Sequence, residues 1–199
     1  ITANSSEKII EIINENLNSI YSTMYLNEIQ EKQRRISKNL NQTQAIKKST
    51  GLTLRFPSAY RVAKVDTNFV WIRRDIETGS VNLFISRYND KNNSSVLKIR
   101  DSISKHHIPG PVENTFMSID PIYTPNSQQI NIGGKQILET RGLWEIQGQF
   151  MAGPFLNYQF KSDTKQDEYI MLDGFVYSPG SSKREYVFEL EAIMRTLKD

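Results

Sequence analysis

The sequence predicts an α+β fold: N-terminal helices, then an antiparallel sheet flanked by helices. Three observations predict it. Ile9, Ile13, Leu17, Ile20 and Met24 recur at three- and four-residue spacing, the period of one helix face. From Leu52 the apolar period changes to two, the period of a strand. Turn-forming residues then divide the chain into short alternating runs, with one helical run inside and one at the end.

Residues 4–50 read as helical. Asn4, with Glu7 three positions on, is a start of the capping-box kind. Ile10, Ile12 and Tyr21 widen the stripe and predict burial on more than one side, against a partner or a missing segment. Beyond Asn27 the apolar residues thin to Ile29, Ile36, Leu40 and Ile46, which predicts a surface helix with charged pairs. Gly51 is its stop.

LTLRFP (52–57) reads as a short strand ended by Pro57. Tyr60 to Arg74 gives two strand pieces around Asp66–Asn68, with Phe69, Trp71 and Arg73 on one face and Val70, Ile72 and Arg74 on the other. Val81 to Tyr88 pairs back as a hairpin after a turn at Glu77–Ser80. Asn92–Ser95 opens a helix through His106, with Val96, Ile99 and Ile103 inward. Ile108 to Ser127 holds four prolines, which preclude a central strand. Strands follow near 129–133, 135–147, 154–161 and 168–177, with turns at Gly133–Gly134 and Asp163–Gln166. Ser182 and Glu185 form a capping box before a last helix lined by Tyr186, Leu190, Ile193 and Leu197. The order after the first helices is β-β-β-α-β-β-β-α, an α+β sandwich. PsbP-like folds share this order, as an architectural analogy. The expected division is a helical segment over 1–50, the end of a truncated N-terminal region, and a sandwich over 51–199.

Composition narrows the function classes. At 199 residues the chain buries roughly 70% of its extended surface, enough for a full core. Net charge is only +3, without the basic stripe of a nucleic-acid binder, so no nucleic-acid partner is expected. There is no Cys, which excludes disulfides and thiolate chemistry. No apolar run is long enough to span a membrane, and ITANSSEK at the start is no signal peptide.

The residues richest in shape lie between Glu139 and Tyr158: ETRGLWEIQGQFMAGPFLNY. Leu138, Thr140, Gly142, Trp144 and Ile146 share a core face. Glu139, Arg141, Leu143, Glu145 and Gln147 share the other, where Arg141 can pair with Glu139 or Glu145 and Asp173 can join them. This face is either a binding surface for a polar ligand or peptide, or a salt-bridged sheet face under a helix. Gly148, Gly153 and Pro154 predict a turn or bulge; no phosphate loop is present. His106 and His107 are adjacent, so on a helix they point about 100° apart and chelate one metal poorly. No residue pattern marks a catalyst, a metal site or a cofactor.

Five segments carry a resemblance: NFVWIRRD (68–75), RD (100–101), IPGP (108–111), ETRGLWEIQGQFMAGPF (139–155) and LDGFVYSPGSSKREYVFELEAIMRTLK (172–198). In this order they resemble a Bacteroidetes envelope lipoprotein family, domain of unknown function 4837, in its C-terminal part. The resemblance implies export to the periplasm or outer membrane and anchoring by a lipid on a Cys that this chain lacks. It brings no functional residues with it.

The expected function is a non-enzymatic binding or scaffold module of the cell envelope, with an unknown protein or a small polar ligand as partner. The alternative is a hydrolase-like enzyme of the same location using a carboxylate pair. A third reading makes the Ile9–Met24 helix an oligomer seam. The expected binding residues are Arg141, Trp144, Glu145, Phe150 and Tyr123, Trp and Arg being frequent anchors of interfaces. Arg141→Ala is expected to weaken partner capture while leaving thermal stability near that of the parent.

Overall fold

The computed structural model describes residues 1–92, 94–163 and 165–198. Among them the order is α1 (Ser6–Ile36), α2 (Gln44–Thr50), β1 (Arg61–Asp66), β2 (Phe69–Ile76), β3 (Gly79–Asn89), α3 (Val96–His107), β4 (Met117–Ile119), β5 (Asn126–Ile132), β6 (Lys135–Ile146), β7 (Met151–Lys161), β8 (Glu168–Tyr177) and α4 (Arg184–Met194). The class is α+β, as the alternation of periods predicts.

The strands form one antiparallel sheet, β1-β2-β3-β8-β7-β6-β4, with β5 also on β6. Two meanders, β1 to β3 and β5 to β8, are joined where β3 pairs with β8. Both faces are covered. On one, Val70, Ile72, Leu83, Leu156 and Leu172 pack under Ile46, Leu52, Phe56, Leu190 and Ile193 from the helical side. On the other, Phe69, Phe84, Trp144, Phe155, Met171 and Phe175 pack under α3 and the segment after it. Each large apolar side chain so buried stabilises the fold by about 1.5–3 kcal/mol before entropy is counted. Double coverage explains why β8 reads as an apolar run broken only at Asp173–Gly174.

Two buried glutamates tie α4 across the sheet. Glu189 receives the Tyr60 hydroxyl at 2.8 Å and pairs with Arg74 of β2 at 3.2 Å. Glu191 pairs with Arg141 of β6 at 2.6 Å. Between them Leu190 sits over Gly174, where a Cβ would stand 3.1 Å from the leucine side chain. Glycine at that position allows the close approach of helix to sheet.

Several expectations change. The 4–50 helix breaks after Ile36, where Asn41 N–H donates to Phe56 O and Leu40 bridges Pro57. Ser5, not Asn4, caps α1, its Oγ accepting from Lys8 N–H at 3.3 Å. The apolar stripe of α1 is exposed rather than buried: Ile10 is 58% accessible, Leu17 56% and Met24 64%, because no other part of the described chain lies over it. The thinner half is the one that docks, through Ile29 and Ile36, with Tyr25 just before it. LTLRFP is no strand: Thr53 bridges Lys198 and Pro57 bridges Leu40, while Leu52, Leu54 and Phe56 are buried. Its alternation reports burial without a ladder.

The proline-rich segment does hold one short strand, β4, confined to the sheet edge as its flanking prolines require. Ser182 does not cap α4; the N-cap is Lys183, with no side-chain bond. Gly153 and Pro154 lie inside β7, and the turn is at 147–150. The helix opening at Asn92–Ser95 and the turn at Asp163–Gln166 include Asn93 and Thr164, which lie outside the described residues.

Candidate functional site

The second half of α1 crosses α4 and leaves a cleft of about 530 Å³ beside their contact. Its apolar wall is Tyr21, Met24 and Tyr25 from α1, Val187 and Phe188 from α4, and Pro154 from β7. Tyr25 meets Phe188 edge-on at 6.0 Å and stacks on Tyr21 at 5.9 Å, so the wall is preassembled. Lys183, Arg184 and Glu28 stand at the cleft as well.

Arg141 forms the floor. It rises from the face of β6 that α4 covers, donates to Glu139 at 2.9 and 3.1 Å, and to Glu191 at 2.6 Å. Arg195 completes the cluster, 3.0 Å from Glu191 one helical turn earlier. Burial opposes the Arg141 charge, but the hydrogen bonds to Glu139 and Glu191 overcome it and raise its pKa. Burial likewise works against ionised Glu191, yet the Tyr25 hydroxyl and Arg141 hold its pKa below the ordinary value. The cost falls on Tyr25, whose phenol is pushed up by burial and by the neighbouring Glu191 carboxylate.

Chemically this floor is saturated. Two guanidiniums face two nearly inaccessible carboxylates, at 3% and 1% side-chain exposure, and Gln128 takes a further lone pair of Glu139 at 2.8 Å. A general acid or base needs a carboxyl able to exchange a proton near neutral pH. Glu191 is driven the other way.

The expected binding residues do not converge. Arg141 lines the cleft, but Trp144 leaves β6 on the opposite face, 2% exposed and edge-on to Phe175 at 5.7 Å. Glu145 is half-buried opposite Ser118 and Ala152. Phe150 is fully exposed at the tip of the β6–β7 turn, and Tyr123 is 57% exposed in the loop before β5. Arg141 pairs with Glu139, as expected, and takes Glu191 rather than Glu145 as its second carboxylate. Asp173 does not join them. It lies under α3 on the other face, hydrogen-bonded to Arg100 and Asn157.

Sequence reasoning missed Tyr25, Val187, Phe188, Glu191 and Arg195. A signal existed for the last two, since Glu191 and Arg195 stand at i, i+4, the spacing of a helical ion pair, at the end of the last helix. His107, in the last turn of α3, stacks flat on Phe69 at 4.0 Å. Burial, with Lys64 nearby, lowers its pKa. Among the described residues no three His, Cys, Asp or Glu side chains are placed to hold a metal ion, and no helix is long and apolar enough to cross a membrane.

No curated protein sequence matches the chain. Among solved structures, it is similar to the Ran-binding protein Mog1p of Saccharomyces cerevisiae, at 10% identity and a TM-score of 0.43, over 74% of this chain and 89% of that one. A family model described as "Domain of unknown function (DUF4837)" matches residues 39–196, from the break after α1 to the end of α4. That match takes in the whole sheet and the helices α2, α3 and α4, and the chain belongs to this family.

Proposed function

We propose that the chain is a non-enzymatic binding module of the cell envelope whose binding surface is the cleft between α1 and α4. The observation that carries this reading is the pairing of an open, aromatic-walled groove with a floor whose charges are already matched. Such a groove holds apolar side chains of a protein segment and offers no reactive group. With Arg141 and Glu191 paired in the floor, Lys183 and Arg184 outnumber Glu28 around it, which favours a segment with acidic residues beside its apolar ones. The envelope location, with a lipid anchor on the full-length form, is supported by the resemblance of five ordered segments to envelope lipoproteins.

The test is cross-linking capture from the native membranes with the lipidated full-length protein, comparing the parent with Arg184→Glu and Lys183→Glu. Both residues stand at the start of α4, where a carboxylate suits the helix dipole, so folding is preserved. The expected outcome is one partner captured by the parent and lost by both variants at unchanged melting temperature. Equal capture by all three forms would refute the assignment of the cleft.

A further inference from the structure

We infer that the free half of α1 is a self-association seam that packs against the same stripe of a second copy of this chain. The argument begins with the spacing of its exposed residues. Ile10, Ile13, Leu17, Ile20 and Met24 follow one another at intervals of three, four, three and four. These are five consecutive a and d positions of a heptad repeat, the pattern that seats one helix against another. Ile10, Ile13, Leu17 and Met24 are all exposed, and Ile20 is half-exposed. The seam runs about 21 Å at 1.5 Å per residue.

This stripe is not an overhang of the face that docks on the body. At 100° per residue, Ile10, Ile13, Leu17, Ile20 and Met24 centre roughly 120° around the helix from Tyr25, Ile29 and Ile36. Extending the body beneath α1 would leave the seam uncovered, so a separate surface must cover it.

The flanking positions identify that surface. In a coiled coil the e and g residues choose the partner through their charges. From Ile9 to Thr23 they are Ile9, Asn14, Asn16, Tyr21 and Thr23, none charged, and the first charge is Glu28 beyond the last seam residue. Two identical helices therefore meet with no like-charge repulsion, and a charged partner finds nothing to pair with. The charges Lys8, Glu11 and Glu15 lie on the far side, where Lys8 and Glu11 already pair at 2.7 Å. Met24 and Tyr21 also line the cleft, so the inference rests on Ile10, Ile13, Leu17 and Ile20, which lie outside it.

The experiment is sedimentation equilibrium of the chain at about 100 µM, where an interface of this modest size populates its complex. Leu17→Glu and Ile13→Glu are run beside the parent, with circular dichroism to confirm the fold. The expected result is a parent species of at least twice the 23.0 kDa chain mass, reduced to 23.0 kDa by either substitution at unchanged helicity. A monomeric parent, or an oligomer untouched by both substitutions, overturns the inference. Arg184→Glu serves as the control at the cleft and leaves the mass of the parent oligomer unchanged.

Discussion

Arg100 of α3 and Asp173 of β8 face each other inside the molecule, Nε to Oδ2 at 2.7 Å and Nη2 to Oδ1 at 3.1 Å, neither side chain accessible to water. Asn157 donates a third bond to the same carboxylate at 2.8 Å, and the guanidinium lies 3.9 Å over the Phe155 ring. Losing one partner strands a buried charge, which costs about 3–5 kcal/mol. Arg100→Met should therefore lower stability by that order in urea unfolding. The double variant Arg100→Met/Asp173→Asn should lose less than the sum of the single changes. Strict additivity would show that the two groups do not interact.

Arg141 is expected to behave as a structural residue as well as a cleft residue. Arg141→Ala leaves Glu139 and Glu191 without their shared cation. A full buried-pair penalty does not apply, because the Arg141 side chain is 39% exposed and partly screened. A loss of about 2 kcal/mol is expected, read as a lower urea midpoint at unchanged slope. This revises the expectation of near-parent stability drawn from the sequence, and an unchanged midpoint would restore it.

Acid sensitivity follows from Glu191 and Glu168. Both have folded-state pKa values below the ordinary 4.5, held there against burial by Tyr25 and Arg141 for Glu191, and by Arg87 for Glu168. A depressed carboxylate stabilises the fold above its unfolded pKa, and that stability is lost as pH falls through the folded value. Melting temperature should thus be flat in these two groups above about pH 4.5 and decline below it. Asp173 acts in the opposite sense, since burial raises its pKa above 3.8 despite Arg100. Glu191→Gln should flatten the acid limb, and a limb of unchanged steepness would assign it to other groups.

Trp144 and Gly153 repair a gap that Pro154 opens in the sheet. Pro154 has no N–H to give to β8, and the β7–β8 ladder begins only at Phe155–Phe175. The Trp144 indole donates instead to Val176 O at 3.3 Å, passing Gly153, where a Cβ would stand 1.9 Å from the same oxygen. Trp144→Phe should cost about 1 kcal/mol for the bond in addition to lost packing. Gly153→Ala should destabilise, whereas an ordinary strand Gly→Ala change usually gains stability. Parent-like melting of Gly153→Ala would remove the close approach from the account.

At a concentration where the parent is monomeric, deleting residues 1–20 should leave the melting temperature within about 2 °C of the parent, since surface changes away from buried contacts fall within about 0.5 kcal/mol. Tyr25, Ile29 and Ile36, which hold the helix to the body, remain in the shortened chain. A large drop would mean that the free half of α1 stabilises the sandwich.

Much of the architecture was legible because strand and helix periods are local properties. The Phe69–Trp71 and Val70–Ile72 faces separate onto the two cores as their alternation requires. What was illegible depended on partners distant in sequence. The α1 stripe looks buried by composition, but burial needs a surface to cover it, and the described residues provide none. Asp173 stands inside the apolar run of β8, a sign of a paired buried charge, yet only the fold names Arg100, 73 residues away, as its partner. The cleft is drawn from α1, β6, β7 and α4, so no single segment could display it.

The divided attachment of α1 also has a mechanical meaning. Its docked half grips the body through Ile29, Ile36, a Gln33 Nε2 bond to Ala192 O at 2.9 Å and Lys32 at 3.8 Å from Glu189, all against or near α4. Tension applied at Ile1 would run along the free half as along a rod and load these few contacts one after another from Tyr25 onward. The sheet, with its ladders shared among all strands, would bear almost none of it. On this attachment α1 is expected to peel from α4 before the sandwich unfolds.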